Sequence, residues 1–425
     1  MNSTLLEIQN PWWKQREAIF EDQHIKAIRD KKYYFSSPLK SQIQFDVGDF
    51  HILRGPRQVG KTTLIKEWIL KLLIEKKVPP KSIFFLSCEG IDHFKELNDI
   101  LYEFLPTLER QRQYVFLDEI SFLKDWQRGI LSCINAGLLS RATLVVTGSN
   151  ARDLKESSER FPGRRGSGKN INLYPLSPME LKHVECFSHL SDQEILFLYF
   201  KIGGFPHAIR DYYSSHTITD ETFQTYKNWI IGDASRFGLS EELLKHILFR
   251  ISETACSRIT WPSLIENTPV RSHETALEYV EHLSDSFLCK IHYCYDPDKN
   301  GPATQKSRKI FFIDPLLYYL GLTWKNGVSN IWQFIEKKNQ TPETLGQLLE
   351  TSYISNSARF FDPIYFWYST KTKQEVDLIY DSNDAKIFAE IKMRKERSFK
   401  ALNQQVDILT HEDFFSFFKQ EQCNR

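Results

Sequence analysis

Over the first 180 residues, short apolar runs alternate with segments of helical period. The runs are HILR (51–54), SIFFLSC (82–88), YVFLDE (114–119), TLVVTGS (143–149) and INLYPL (171–176). Runs this short, apolar on both faces and separated by helix-period stretches, predict a parallel sheet covered by helices on either side. From about Ser177 to Tyr213 the pattern turns helical, interrupted by GGFPHAI. SEELLKHILFRIS, WPSLIEN and SHETALEYVEHLSDSFLCKIHYC then give helix, helix, helix and strand. The loop YDPDKNGPATQKSRK and the strand IFFID follow, the order of a winged helix. After TPETLGQLLETSYISN, a helix, the runs IYFWYS, EVDLIY and KIFAEIKM are joined by the turns TKTKQ and DSND, which predicts a three-stranded meander.

A chain of 425 residues is longer than one core supports, so two or three domains are expected. Lys+Arg 55 against Asp+Glu 54 leaves a formal net charge of +1, so no global field draws the protein to nucleic acid or membrane, and any such contact must be a local patch. The seven cysteines are scattered without a C-x-x-C pair, which points to neither a disulfide framework nor a zinc site. No apolar run approaches the roughly 18 residues of a spanning helix, and MNSTLLEIQNPWWKQ is not built like a secretory signal. A cytoplasmic location is expected.

GPRQVGKT fits the spacing G-x-x-x-x-G-K-[ST] and lies between a predicted strand and a predicted helix. Gly55 and Gly60 allow the backbone N–H groups to turn inward where a side chain would block phosphate oxygens. Lys61 then reaches the β- and γ-phosphates, Thr62 ligates Mg²⁺, and the helix adds the positive end of its dipole. Gly55, Pro56, Arg57, Gln58, Val59, Gly60, Lys61, Thr62 and Thr63 form the expected ATP-binding stretch. YVFLDEI delivers two acids at the carboxyl end of a buried strand: Asp118 for Mg²⁺ through water, and Glu119 to orient and deprotonate the attacking water. The strand TLVVTGSN ends in Ser149 and Asn150, either of which could sense the γ-phosphate, although a polar loop there also needs no more than solvation. RFPGRRGSGK could supply Arg164 or Arg165 as an arginine finger, in this subunit or a neighbour, and reads equally as a solvated loop.

Near the C-terminus, Glu390 and Lys392 in AEIK are two apart on a strand and share a face, and Asp377 in EVD lies on the preceding strand. Such a set suits metal-dependent phosphodiester cleavage, with Asp377 and Glu390 on Mg²⁺ and Lys392 steadying the hydroxide or the developing charge. Glu350 could be a further metal ligand, and Gln404 or Gln405, read on a last helix, could complete the site. The same alternation is also how a half-exposed hairpin with cross-strand ion pairs reads. KMRKERSFK adds a basic run suited to phosphate contact, or a solvated face. The helix SHETALEYVEHLSD carries Glu274, Glu278, Glu281 and Asp285 and would repel DNA in a major groove. The wing residues Lys306, Arg308 and Lys309 are the better candidates for a backbone contact.

NPWW, LRGPRQVGKTTL, YVFLDEI with Trp126 after it, VVTGSN, PGRR followed by LYPLSPMEL, GGFP, FFIDP and EVDLIY with AEIK occur in order over nearly the whole chain. This set resembles prokaryotic AAA-type P-loop ATPases whose C-terminal part resembles a restriction-endonuclease fold of the PD-(D/E)XK type. The resemblance implies that Pro206, in the GG-aromatic-Pro element of a helical lid, lies against adenine. Asn150 departs from the serine expected there.

The combined reading is an α/β protein: a P-loop AAA-type ATPase core with a parallel sheet (1–176), a helical lid (177–237), a winged-helix module (238–330) and a restriction-endonuclease-like α/β domain (331–425). ATP and Mg²⁺ are the expected cofactors. The expected activity is ATP hydrolysis that switches or drives a nuclease acting on DNA. The alternative is an ATP-dependent signalling or assembly switch that recruits a protein partner, or a second copy, with an idle nuclease-like domain.

Overall fold

A computed structural model describes residues 3–29, 31–108, 112–149, 161, 163–382 and 385–423. The chain divides into two compact units, Met1–Tyr174 and Pro175–Arg425.

In the first unit, β1 (Phe50–Arg54), β2 (Ile83–Ser87), β3 (Gln113–Asp118), β4 (Ala142–Gly148) and β5 (Asn170–Asn172) form one sheet in the order β2-β3-β4-β1-β5, and every pairing is parallel. The apolar runs become strands because side chains alternate between two covered faces. Ile52, Phe84, Leu86, Val115, Leu117, Leu144 and Val146 enter one core, while Leu53, Ile83, Phe85, Tyr114, Phe116 and Val145 enter the other.

The NPWW stretch closes the β2 edge of this sheet. The Asn10 side-chain amide donates to the Phe85 carbonyl at 2.8 Å and accepts from the Phe85 N–H at 2.7 Å, as a neighbouring strand would. Trp12 is buried beside it and donates to the Ile83 carbonyl at 3.2 Å.

The second unit opens with helices that include Asp192–Ile202, Pro206–Ser215 and Asp220–Arg236. The helices Glu241–Glu253, Trp261–Ile265 and His273–Asp285 lead to β6 (Cys289–Asp296), β7 (Gly301–Pro302) and β8 (Arg308–Phe312), with β6 and β8 antiparallel. After the long helix Pro342–Phe360 come β9 (Tyr365–Tyr368), β10 (Glu375–Ser382) and β11 (Ala385–Ile391), paired as the expected meander, then β12 (Phe399–Ala401), β13 (Gln404–Leu409) and the helix Phe414–Cys423.

Two features depart from the sequence reading. Gln404 and Gln405 begin a strand rather than lying on a helix, because Val406 and Ile408 alternate inward and β13 runs parallel to β11. In addition, β6 pairs parallel with β9, so the wing strands and the meander belong to one eight-stranded sheet. No helix among the described residues is long and apolar enough to cross a membrane.

Candidate functional site

The phosphate loop follows β1 and ends in the helix Lys61–Leu70. Gly60 has φ +101°, a conformation that L side chains rarely adopt, and no side chain caps the helix it opens. The first-turn N–H groups are therefore available to an anion. Gly55 has a different reason to be glycine: a Cβ there would collide with the carbonyl oxygen of Leu173, just past β5, whose N–H donates to the Arg54 carbonyl at 2.7 Å. Thr63 Oγ1 lies 3.4 Å from His24 Nδ1.

Lys61 Nζ donates to the carbonyls of Gly55 and Pro56 at 3.1 and 3.0 Å and lies 3.0 Å from Glu119 Oε1. Thr62 Oγ1 donates to Asp118 Oδ2 at 2.7 Å. The strand β3 thus delivers its two acids directly onto the lysine and threonine of the loop. Glu119 adopts the left-handed conformation, φ +53°, which turns the chain sharply as β3 ends. Its Oε2 is buried with no hydrogen-bond partner among the described residues. Burial first, then Glu119, pushes the Asp118 carboxyl above its usual value, against the hydrogen bonds from Thr147 and Thr62.

Thr147, near the end of β4, is a residue that the sequence reading does not single out. Its Oγ1 donates to Asp118 Oδ1 at 2.6 Å and accepts from the Glu119 N–H at 2.8 Å, so one hydroxyl fixes both acids. The signal was available: Thr147 is a polar residue that directly follows the apolar run Leu144, Val145 and Val146 in a fully buried strand. Ser149 is buried, and its N–H donates to Ser121 Oγ at 3.3 Å. Asn150 lies outside the described residues.

The reading of Arg165 as a finger within its own subunit is corrected. Its guanidinium donates to the carbonyl of Phe50 at 3.2 and 3.1 Å and to Asn170 Oδ1 at 2.9 Å. Phe50 begins β1 and the phosphate loop follows its other end, so Arg165 is tied down at the end of the strand away from that loop. Arg164 is exposed in the same turn.

Residues 48–182, which carry this lysine, threonine and pair of acids, match the family model described as an AAA domain. Over this segment the chain is similar to AAA-type P-loop domains. No curated protein matches the chain. Among solved structures, the chain is similar to a Walker-type ATPase of Pyrococcus abyssi, at 14% identity over 64% of this chain and 90% of that one, with a TM-score of 0.42. It is also similar to the ORC2 protein of Aeropyrum pernix, at 14% identity over 67% and 90%, with a TM-score of 0.37. Thermotoga maritima RuvB gives 17% identity over 70% and 90%, with a TM-score of 0.31.

Outside the matched segment, Pro206 is exposed and opens the helix Pro206–Ser215. The GGFP turn that precedes it meets FFIDP. Asp314 is fully buried, its Oδ2 accepts from the Gly204 N–H at 2.7 Å, and its Oδ1 accepts from the Leu316 N–H at 2.8 Å. A Cβ at Gly203, where φ is +64°, would collide with that carboxylate.

The C-terminal acids are brought together around a lysine that the sequence reading places on an exposed wing. Lys309, on β8, is buried, and its Nζ lies 2.7 Å from Glu350 Oε1, 2.8 Å from Glu375 Oε1 and 2.8 Å from Asp377 Oδ1. Asp377 Oδ2 accepts from the Ile391 N–H at 2.9 Å. Lys392 Nζ pairs with Glu390 Oε1 at 2.6 Å. Burial disfavours the Lys309 charge, but Asp377, Glu350 and Glu375 outweigh it and hold the ammonium well above its usual value. Glu350 is pushed up by burial and by Asp377. No group of three or more His, Cys, Asp or Glu placed to hold a metal ion occurs among the described residues.

The wing as a backbone contact is corrected on the same grounds. Arg308 is buried too, donating to the carbonyls of Thr304 and Lys306 at 3.3 and 2.9 Å, and of the three basic residues only Lys306 is exposed.

Proposed function

We propose that the chain is an ATP-binding, Mg²⁺-dependent ATP hydrolase that acts as a nucleotide-controlled switch. The observation that carries this reading is the direct contact of Lys61 with Glu119 and of Thr62 with Asp118. The donor set fits the metal: a hydroxyl and a carboxylate, both hard oxygen ligands, already adjoin each other. Thr62 and Asp118 would hold Mg²⁺, which would neutralise phosphate charge.

The chain's own residues divide the remaining work. The uncapped helix and the loop N–H groups receive the phosphates. Lys61 exchanges the Gly55 and Pro56 carbonyls and Glu119 for phosphate oxygens, an exchange that releases Glu119. Water attacks the γ-phosphorus, its proton passes to Glu119, and ADP leaves with the bridging oxygen. Thr147 positions both acids. Arg164 is the candidate finger toward a neighbouring subunit, and Pro206 the candidate adenine contact.

Two outputs of the switch compete. Driving a nuclease requires Asp377 and Glu390 on a metal, whereas both carboxylates rest on lysines, which favours recruitment of a protein partner. The exposed acids Glu274, Glu278 and Glu281 on the helix His273–Asp285 also disfavour DNA there.

ATP turnover by the full chain, compared with Lys61→Ala and Glu119→Gln, tests the proposal. A large loss of turnover in the first variant, and retained binding without turnover in the second, are expected. Turnover unchanged in both would overturn it.

A further inference from the structure

A restriction-endonuclease-like fold implies a divalent metal at Asp377, Glu390 and Glu350, and the residues found there do not fit one. We propose that the Lys309 ammonium is the resident cation of this carboxylate cluster, and that the domain takes no divalent metal at Asp377. The inference does not depend on ATP turnover in the first unit.

An ammonium has three N–H donors, and Lys309 has three carboxylate acceptors at hydrogen-bonding distance, so its capacity is filled. Mg²⁺ binds oxygen at about 2.0–2.1 Å. At Asp377 it would share Oδ1 with an ammonium 2.8 Å away, while Oδ2 already holds the Ile391 N–H. Both oxygens of the central acid are therefore committed, one to a charge and one to the adjacent strand.

Nor is Lys309 free to withdraw. It lies within β8, every residue of which is buried, and β8 pairs with β6 from Cys289↔Phe312 to Tyr293↔Arg308. Lys309 stands opposite His292, whose Nε2 is 3.0 Å from the Asp377 carbonyl oxygen. Moving the ammonium out requires unpairing β8 or leaving buried charges uncompensated, and both are costly. Two of the acids that read as a metal set, Glu350 and Asp377, thus act with Glu375 as the acceptors of an internal ion-pair network that joins β8, β10 and the helix Pro342–Phe360.

The test is Mn²⁺ binding to the full chain without nucleotide, followed by the electron paramagnetic resonance signal of free Mn²⁺. Wild type and Asp377→Asn are expected to bind Mn²⁺ identically. A wild-type Mn²⁺ site that disappears in Asp377→Asn, with the circular dichroism spectrum unchanged, would overturn the proposal, and this comparison needs no change at Lys309. In Lys309→Met a Mn²⁺ site is expected to appear, to be lost again in Lys309→Met/Asp377→Asn, and to raise the Tm of Lys309→Met while leaving that of wild type unmoved. A folded Lys309→Met that gains no Mn²⁺ site would also count against it.

Discussion

Lys61 and Lys309 are both buried lysines resting on carboxylates, and the backbones that carry them differ in kind. Lys61 follows a glycine in the left-handed region, opens a helix with no side-chain cap, and divides its hydrogen bonds between one carboxylate and two carbonyls of its own loop. All of these partners can be traded for phosphate oxygens without breaking a strand. Lys309 stands in a paired, buried strand and holds three carboxylates from two other elements. The same ion-pair chemistry is therefore exchangeable in one place and fixed in the other, and what decides is the backbone beneath it.

The comparison breaks most visibly at Lys309. In Lys309→Met three acids lose their cation, and removing one side of a buried ion pair costs about 3–5 kcal/mol of stability. Urea unfolding should show that loss, whereas Lys61→Ala, which strips the cation from one acid rather than three, should cost clearly less. Equal costs for the two variants would mean that the backbones do not distinguish the lysines. For Lys61→Ala the effect falls instead on turnover, which should drop by about 10²–10³-fold, the usual loss when a donor to developing charge is removed. Steady-state phosphate release measures it.

Thr147→Val sharpens the exchangeable side. Valine keeps the shape but removes the hydroxyl that donates to Asp118 and accepts from the Glu119 N–H. A hydrogen bond to a charged group contributes about 1.5–3 kcal/mol, so kcat should fall by roughly 10- to 100-fold. Nucleotide affinity, measured by calorimetry, should change little, because Thr147 touches the acids rather than the loop. A matching loss in affinity would place its role in binding.

The exchangeable site was legible in the sequence because its parts are local. Gly55 to Thr63 are contiguous, and the acids end an apolar run long enough to read as a strand buried on both faces. Even there a reason was missed, since Gly55 also makes room for the Leu173 carbonyl. The fixed site was only half legible. Asp377, Glu390 and Lys392 could be read from strand periodicity, but Lys309 meets Glu350 and Asp377 across 41 and 68 residues of sequence. A lysine close to two other basic residues on a predicted wing reads as solvent-facing, and only the pairing of β6 with β9 turns that strand inward. Gln404 and Gln405 failed for a related reason: two polar residues hid the start of a short strand whose inward positions are only Val406 and Ile408.

The smallest expected effect concerns Asp314, a buried carboxylate that, unlike those at Lys61 and Lys309, has no lysine on it. Burial pushes its carboxyl up from the usual 3.8 to about 7, even though the Gly204 and Leu316 N–H groups favour the charged form. The folded chain then holds the proton more tightly than the unfolded chain. The stability this contributes is full below about pH 3.8 and is lost as pH rises to about 7. Asp314→Asn cannot titrate, so its stability lacks this component at every pH. Between about pH 6 and 8 only the last part of the window is crossed, so wild type should lose about 1 kcal/mol relative to Asp314→Asn over that span, and most of it below about pH 7. Urea unfolding of the two proteins at half-unit steps measures the difference. Parallel curves would mean that the two N–H donors, together with the Arg359 guanidinium, suffice to keep Asp314 ionised despite its burial.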